Sequence, residues 1–184
     1  MHSVISGCEE RMKKTIGSLR EGYAALRTGR ASASLFDRIR VDYYGEKNPL
    51  SQVANISIPE ARLIVIQPWD KSLIGEIEKA IRSSELSLNP SNDGKVIRVA
   101  IPPLTEERRG DLAKQAKAQA EQSRVAVRNI RRDGNEELKK LLKDKELTED
   151  DEAKNSEELQ KLTDSYIKQI DKILEEKESE IREV

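Results

Sequence analysis

Histidine and cysteine are almost missing from this chain. One of each occurs in 184 residues, His2 and Cys8. Structural zinc needs four Cys/His ligands, so no such site can be built, and one thiol allows no internal disulfide. A Ser-His-Asp or Cys-His catalytic group would have to use His2, at a terminus expected to fray. Phosphate-cradling glycine loops and the H-E-x-x-H metal signature do not occur. No apolar run approaches the roughly 20 residues that span a bilayer, and the N-terminus lacks an apolar signal core. The reading is a cytoplasmic protein with no membrane partner, no cofactor and no enzymatic site. Aromatics are also scarce, 3% of the chain: Phe36, Trp69, Tyr23, Tyr43, Tyr44 and Tyr166.

Charge is abundant instead. Charged residues make up 36% of the chain and hydrophobic ones another 36%, with a net charge of only −1. That apolar share is low for one thick core, and the balance of charge does not suit a disordered chain. Long charged helices fit both facts.

Apolar residues at Val4, Cys8, Met12, Ile16, Leu19, Tyr23 and Leu26 step by threes and fours, which predicts a helix from about Ser3 to Arg27 despite Gly17 and Gly22. The period then changes. Arg38 to Tyr43 alternates as a half-buried strand, Val53 to Ile58 is a second, and Leu63 to Ile66 reads as a strand covered on both faces. Asp70 can cap a helix through about Ser84, Asn89 to Gly94 is turn chemistry, and Val96 to Ile101 is a last strand. Within this segment Tyr43 and Tyr44 read as packing residues at a paired strand position, with base stacking the competing reading, and Trp69 as packing at a strand end. Pro102-Pro103 ends the segment, and Thr105 with Glu106 and Glu107 suits a helix start. A helical pattern runs on to about Lys145. Thr148 and Asp151 have capping spacing, and a third helix follows on Leu159, Leu162, Tyr166, Ile170, Ile173 and Lys177.

The fold class is therefore α+β, an elongated three-helix bundle (residues 1–30 and 105–184) with a small inserted β/α/β domain (31–104). The helices should pack antiparallel where loops are short, while the first and last can pair in either direction. Two strands of chain cross between the parts. They make a hinge near Thr28–Ala31 on one side, with Gly29, Arg30 and Ala31, and Pro102, Pro103, Leu104 and Thr105 on the other.

The near-zero net charge hides an asymmetry. Residues 105–133 hold eight basic and five acidic side chains, and residues 134–184 hold ten and 17. Arg124, Arg128 and Arg131 fall at i, i+4 and i+7 on one helix face; Lys117 extends the row and Arg132 flanks it. Guanidinium groups bind phosphate oxygens in pairs, so such a row on a stiff rod suits folded RNA. The competing reading is a solvated face paired with acids of the last helix.

Several segments, in this order and spacing, resemble the bacterial-type ribosome recycling factor family over the whole chain. They are Leu26-Arg27-Thr28-Gly29-Arg30-Ala31-Ser32, Val41-Asp42-Tyr43-Tyr44-Gly45, Leu88-Asn89-Pro90, Ile97-Arg98, Pro102 to Arg109, Ala126 to Asp133, and Leu162-Thr163-Asp164. The resemblance implies an L-shaped molecule that acts on the post-termination ribosome. With elongation factor G, and GTP hydrolysis by that partner, it would split the subunits and free messenger and deacylated transfer RNA. It implies that the bundle lies on 23S-type RNA of the large subunit through arginines equivalent to Arg128 and Arg131, that Arg27 and Arg30 lie by the hinge, that the small domain meets elongation factor G, and that the protein works as a monomer. One departure stands out: the family commonly has Ser-Pro where this chain has Ser32-Ala33, which frees a backbone torsion at the hinge. The rival reading from another class is a helical adaptor or scaffold that pairs through its apolar stripes without ribosome binding.

Overall fold

The structure, a computed structural model, describes residues 2–183. Residues 1 and 184, at the outer ends of the expected bundle segments, lie outside the described residues. The chain is α+β and divides into two compact units. One holds the described residues up to Arg27 with Glu106–Glu183; the other is Thr28–Thr105.

Three helices make the first unit: α1 (Ser3–Ala25), α3 (Glu106–Lys143) and α4 (Glu149–Glu183). The apolar stripe of α1 is buried as its spacing requires, at Val4, Cys8, Met12, Ile16, Leu19 and Tyr23. The helix stops short of Arg27, because Leu26 turns extended and its N–H closes the last turn on the Tyr23 carbonyl. The α3 line runs Leu112, Ala116, Ala120, Ser123, Val127, Ile130, Gly134 and Leu138. On α4 Thr163, not Leu162, takes the buried place; its hydroxyl donates to the Leu159 carbonyl at 2.8 Å, so its burial leaves that group satisfied. Lys177 is buried on the same stripe, its ammonium 3.2 Å from Glu180. The Thr148 hydroxyl accepts from the Asp151 N–H at 3.1 Å and starts α4 as the capping spacing predicts.

Cross-helix contacts set the directions. The Tyr23 hydroxyl donates to the Ala116 carbonyl and Cys8 lies against Ile130, so α1 and α3 are antiparallel. Arg131 meets Gln160 and Arg124 meets Asp171, so α3 and α4 are antiparallel too. Tyr166 lies beside Glu9, while Tyr23 and Lys177 line one shallow groove, so α1 and α4 run parallel. The three stripes cover one another. The apolar surface that an adaptor would offer a partner is spent inside the bundle.

The second unit holds β1 (Arg40–Tyr43), β2 (Glu46–Pro49), β3 (Ala54–Glu60), β4 (Leu63–Pro68), α2 (Ile74–Arg82), β5 (Pro90–Asn92) and β6 (Ile97–Ala100). β1 and β2 form a hairpin; the other strands form an antiparallel sheet in the order β3-β4-β6-β5. Its core includes Phe36, Val41, Leu50, Ile64, Ile66, Ile77, Ile81, Ile97 and Val99. Burying each such side chain contributes about 1.5–3 kcal/mol before conformational entropy is counted.

Several expectations are corrected here. Six strands in two sheets replace about four. β2 and β5 are short and polar, and β5 lies inside the expected Asn89–Gly94 turn. Leu63 to Ile66 is not covered on both faces: Ile64 and Ile66 are fully buried, Leu63 and Val65 only half. Asp70 does act as a cap, but of a one-turn 3-10 helix, Lys71–Leu73, that leads into a shorter α2. Trp69 and Tyr44 are not part of the core: both are largely exposed, Tyr44 lying against the ring of Tyr43.

Candidate nucleic-acid interface

α3 packs between α1 and α4 and is 38 residues long, about 57 Å at 1.5 Å per residue. Its buried line takes one side of the helix, so its remaining sides face neighbouring helix edges or solvent. The five cations expected on it fall into three environments.

Arg124 is a clamp. Its guanidinium lies 2.7 Å from Asp171 on α4 and 3.0 Å from Glu121 on its own helix. Burial pulls its pKa down, and the hydrogen bonds to Asp171 and Glu121 outweigh that and leave it raised. Lys117 is exposed, with Glu178 of α4 at 3.6 Å. The charge of Arg124 is largely compensated; Lys117 and Glu178 make a looser, exposed pair.

Arg128, Arg131 and Arg132 differ. Arg128 keeps 46% of its side chain exposed and only touches Glu121, at 3.5 Å, an acid it shares with Arg124. Arg131 is half-buried and donates to the neutral Gln160 side chain at 2.9 Å. That bond orients the guanidinium without cancelling its charge. Arg132 is exposed, and no described residue engages its side chain. Positive charge therefore accumulates toward Arg131 and Arg132, with Arg128 sharing one acid with Arg124, while Arg124 is neutralised by Asp171 and Glu121.

Two residues join this surface that the arginine spacing does not announce. Arg11 of α1 bridges to Asp133 at 2.8 Å, beside Arg132 in the chain. Val125, 46% exposed, adds apolar area next to Asn129 and Arg128. Nothing in one helix's periodicity tells which polar residue of α1 will meet α3, so Arg11 is visible only once the helices are docked. Fixed guanidinium groups beside an apolar side chain on a rigid helix can hold backbone phosphates and pack against a sugar or base.

The residues expected at the hinge border the second unit, whose limits fall at Thr28 and Thr105. Arg27 and Arg30 are exposed; Gly29 takes φ +74°, a left-handed conformation that favours glycine. The Ala31 N–H donates to the Ala61 carbonyl at 2.7 Å and the Ile101 N–H to the Arg62 carbonyl at 2.8 Å. Both ends of the inserted unit are thus tied to the same β3–β4 turn. Pro102 and Pro103 are exposed and Leu104 is half-buried. Ala33 opens a one-turn 3-10 helix capped by the Ser32 hydroxyl, a place where the residue's own N–H makes no bond inside the turn. Alanine and proline both fit there, so the departure at this position leaves the local structure intact.

Among the described residues no group of His, Cys, Asp and Glu is placed to hold a metal ion, and no helix is long and apolar enough to cross a membrane.

The chain matches the family model for ribosome recycling factor over residues 19–181. It is similar to the ribosome-recycling factor of Treponema denticola, with 62% identity over 183 residues, 100% of this chain and 99% of that protein. The ribosome-recycling factor of Syntrophomonas wolfei is 58% identical over 181 residues, 98% of each. Among solved structures, the chain is similar to a solution structure of the ribosome recycling factor, with TM-score 0.67 and 46% identity over 98% of this chain and 96% of that one. It is also similar to a chain described with models for the T. thermophilus ribosome recycling factor and the E. coli elongation factor G bound to the E. coli post-termination complex. There the TM-score is 0.58, with 45% identity over 97% of this chain and 96% of that one.

Proposed function

The chain belongs to the ribosome recycling factor family, and from that membership we propose that it binds the post-termination ribosome through the arginine face of α3. The bound surface is 23S-type RNA of the large subunit. Arg128, Arg131 and Arg132 hold its phosphates; Arg124 and Lys117 continue the row toward the start of α3, where acids of α4 pair with them. The observation that carries this is the charge left without an acidic partner at Arg131 and Arg132, beside an Arg128 that shares one acid with Arg124, on a stiff 38-residue helix.

The protein is a translation factor of the cytoplasm and acts as a monomer. With elongation factor G it separates the subunits, freeing messenger and deacylated transfer RNA, and GTP hydrolysis by that partner supplies the work. The second unit meets elongation factor G and moves on a hinge made of Arg27, Gly29, Arg30 and Ala31 on one crossing and Pro102, Pro103, Leu104 and Thr105 on the other. A stiff element that grips RNA and a tied insert on two crossings suit that division of labour.

The test is subunit splitting, followed by light scattering with purified post-termination ribosomes, elongation factor G and GTP. Splitting by the wild-type chain, lost on Arg132→Glu with helicity unchanged, is expected. No splitting by the wild type, or full activity in the variant, would refute the reading.

A further inference from the structure

Arg124 and Arg131 stand one heptad apart on α3, and Asp171 and Asp164 stand one heptad apart on α4. The two helices run antiparallel, so the register that sets Arg124 against Asp171 also sets Arg131 against Asp164. The first pair forms, at 2.7 Å. The second does not: among the described residues Arg131 makes no ion pair.

Gln160, one helical turn before Asp164, takes up both groups. Its Oε1 accepts from Arg131 Nη1 at 2.9 Å, and its Nε2 donates to Asp164 Oδ1 at 2.9 Å. An amide has one accepting end and one donating end, so only this orientation satisfies both neighbours. Turned over, it would set its NH2 against the guanidinium and its oxygen against the carboxylate. The nearby acid Glu157 is engaged by Lys161, at 2.8 Å. Gln160 is exposed, so water would satisfy its amide equally well and the fold gains little from the arrangement. The guanidinium gains more. To take a phosphate it gives up one neutral hydrogen bond, whereas an arginine held by a carboxylate must first exchange one anion for another.

We propose that Gln160 is a positioning residue for RNA binding: it holds Asp164 off Arg131, so that the guanidinium stays open to a phosphate. Gln160 acts through Arg131 and needs no contact with RNA itself. The proposal rests on the RNA-binding role given above to Arg131.

Dissociation constants of full-length chains for purified large ribosomal subunits, measured across a salt series, test it. Gln160→Ala releases Asp164 onto Arg131. It should weaken binding about tenfold and reduce the log–log salt slope by about one, as Arg131→Ala does. Asp164→Ala alone should bind within about twofold of the wild type, and adding it to Gln160→Ala should restore both affinity and slope. A glutamine that only supported the fold would show no such rescue. Gln160→Glu sets a carboxylate directly on Arg131. It should bind as weakly as Gln160→Ala without a lower melting temperature, and Asp164→Ala should not rescue it.

Wild-type affinity in Gln160→Ala, or a loss that Asp164→Ala fails to restore, overturns the proposal; if Arg131→Ala binds weakly in the same series, the RNA face stands. Wild-type affinity in Arg131→Ala overturns both.

Discussion

Arg124 on α3 reaches Asp171 on α4, Nη2 to Oδ1, at 2.7 Å, with only 20% of the arginine side chain exposed. One heptad further along the same face, Arg131 meets Gln160 instead. The difference between a carboxylate and an amide on α4 divides one arginine row into a structural half and an open half.

That division is testable. Arg124→Ala should lower stability by about 0.5–1 kcal/mol, as a partly exposed pair does, and leave ribosome binding nearly unchanged. Arg131→Ala and Arg132→Ala should each weaken binding roughly tenfold and flatten the log–log salt dependence by about one phosphate contact, with thermal stability kept. Ribosome pelleting across a salt series and thermal melts read both quantities. Loss of binding in Arg124→Ala alone would invert the assignment.

Two glycines in the bundle should respond oppositely to alanine. A Cβ on Gly134 of α3 would lie 2.6 Å from Cys8 Sγ and 2.7 Å from Leu159 Cδ2, so those buried side chains or the helices that carry them must shift. Such overpacking costs about 1–3 kcal/mol, against a helix-propensity gain of about 1. Gly17 of α1 has nothing within 4 Å of its added Cβ, so only the gain remains. Gly17→Ala should raise the denaturation midpoint and Gly134→Ala should lower it.

Tyr23 donates its hydroxyl to the Ala116 carbonyl at 2.6 Å, and burial pushes its pKa up to about 12 from the ordinary 10.0. A raised folded-state pKa contributes stability that is complete below about pH 10 and lost as pH climbs through about 12. Tyr23→Phe should cost about 1 kcal/mol at neutral pH and blunt the alkaline transition. Phenolate absorbance during an alkaline titration checks this; ionisation of all four tyrosines near the ordinary value would contradict it.

Asp93 turns the chain between β5 and β6. Its carboxylate accepts from the Val96 and Lys95 N–H groups at 2.9 Å each and from Arg98, which holds its pKa down at about 2 against the ordinary 3.8. A depressed pKa contributes stability that is present above about pH 4 and lost as pH falls toward about 2. Carboxyl-carbon NMR should show Asp93 titrating last among the aspartates of the second unit. Asp93→Asn should remove that part of the acid sensitivity of this unit.

Much of the fold was legible because helical burial repeats with a period. The stripes of α1, α3 and α4, the Thr148 cap and the Asp70 cap follow from spacing and local hydrogen bonding, which neighbours hardly alter. β2 and β5 were not legible. Glu46-Lys47-Asn48-Pro49 and Pro90-Ser91-Asn92 show no apolar alternation and become strands only because β1 and β6 offer ladder partners. Trp69 and Tyr44 were expected to pack from their places at a strand end and in a strand, yet the loops that hold them leave their rings largely exposed.

The order of residues determined the helices, the insertion between them and the concentration of arginines on α3, since each depends on neighbours a few positions away. Tertiary structure decided which arginines of α3 stay uncompensated, that Arg11 pairs with Asp133 beside them, and that α1 runs parallel to α4. Those outcomes hang on contacts between residues tens to more than a hundred positions apart, where the register of one helix against another selects Asp171 for Arg124 and Gln160 for Arg131.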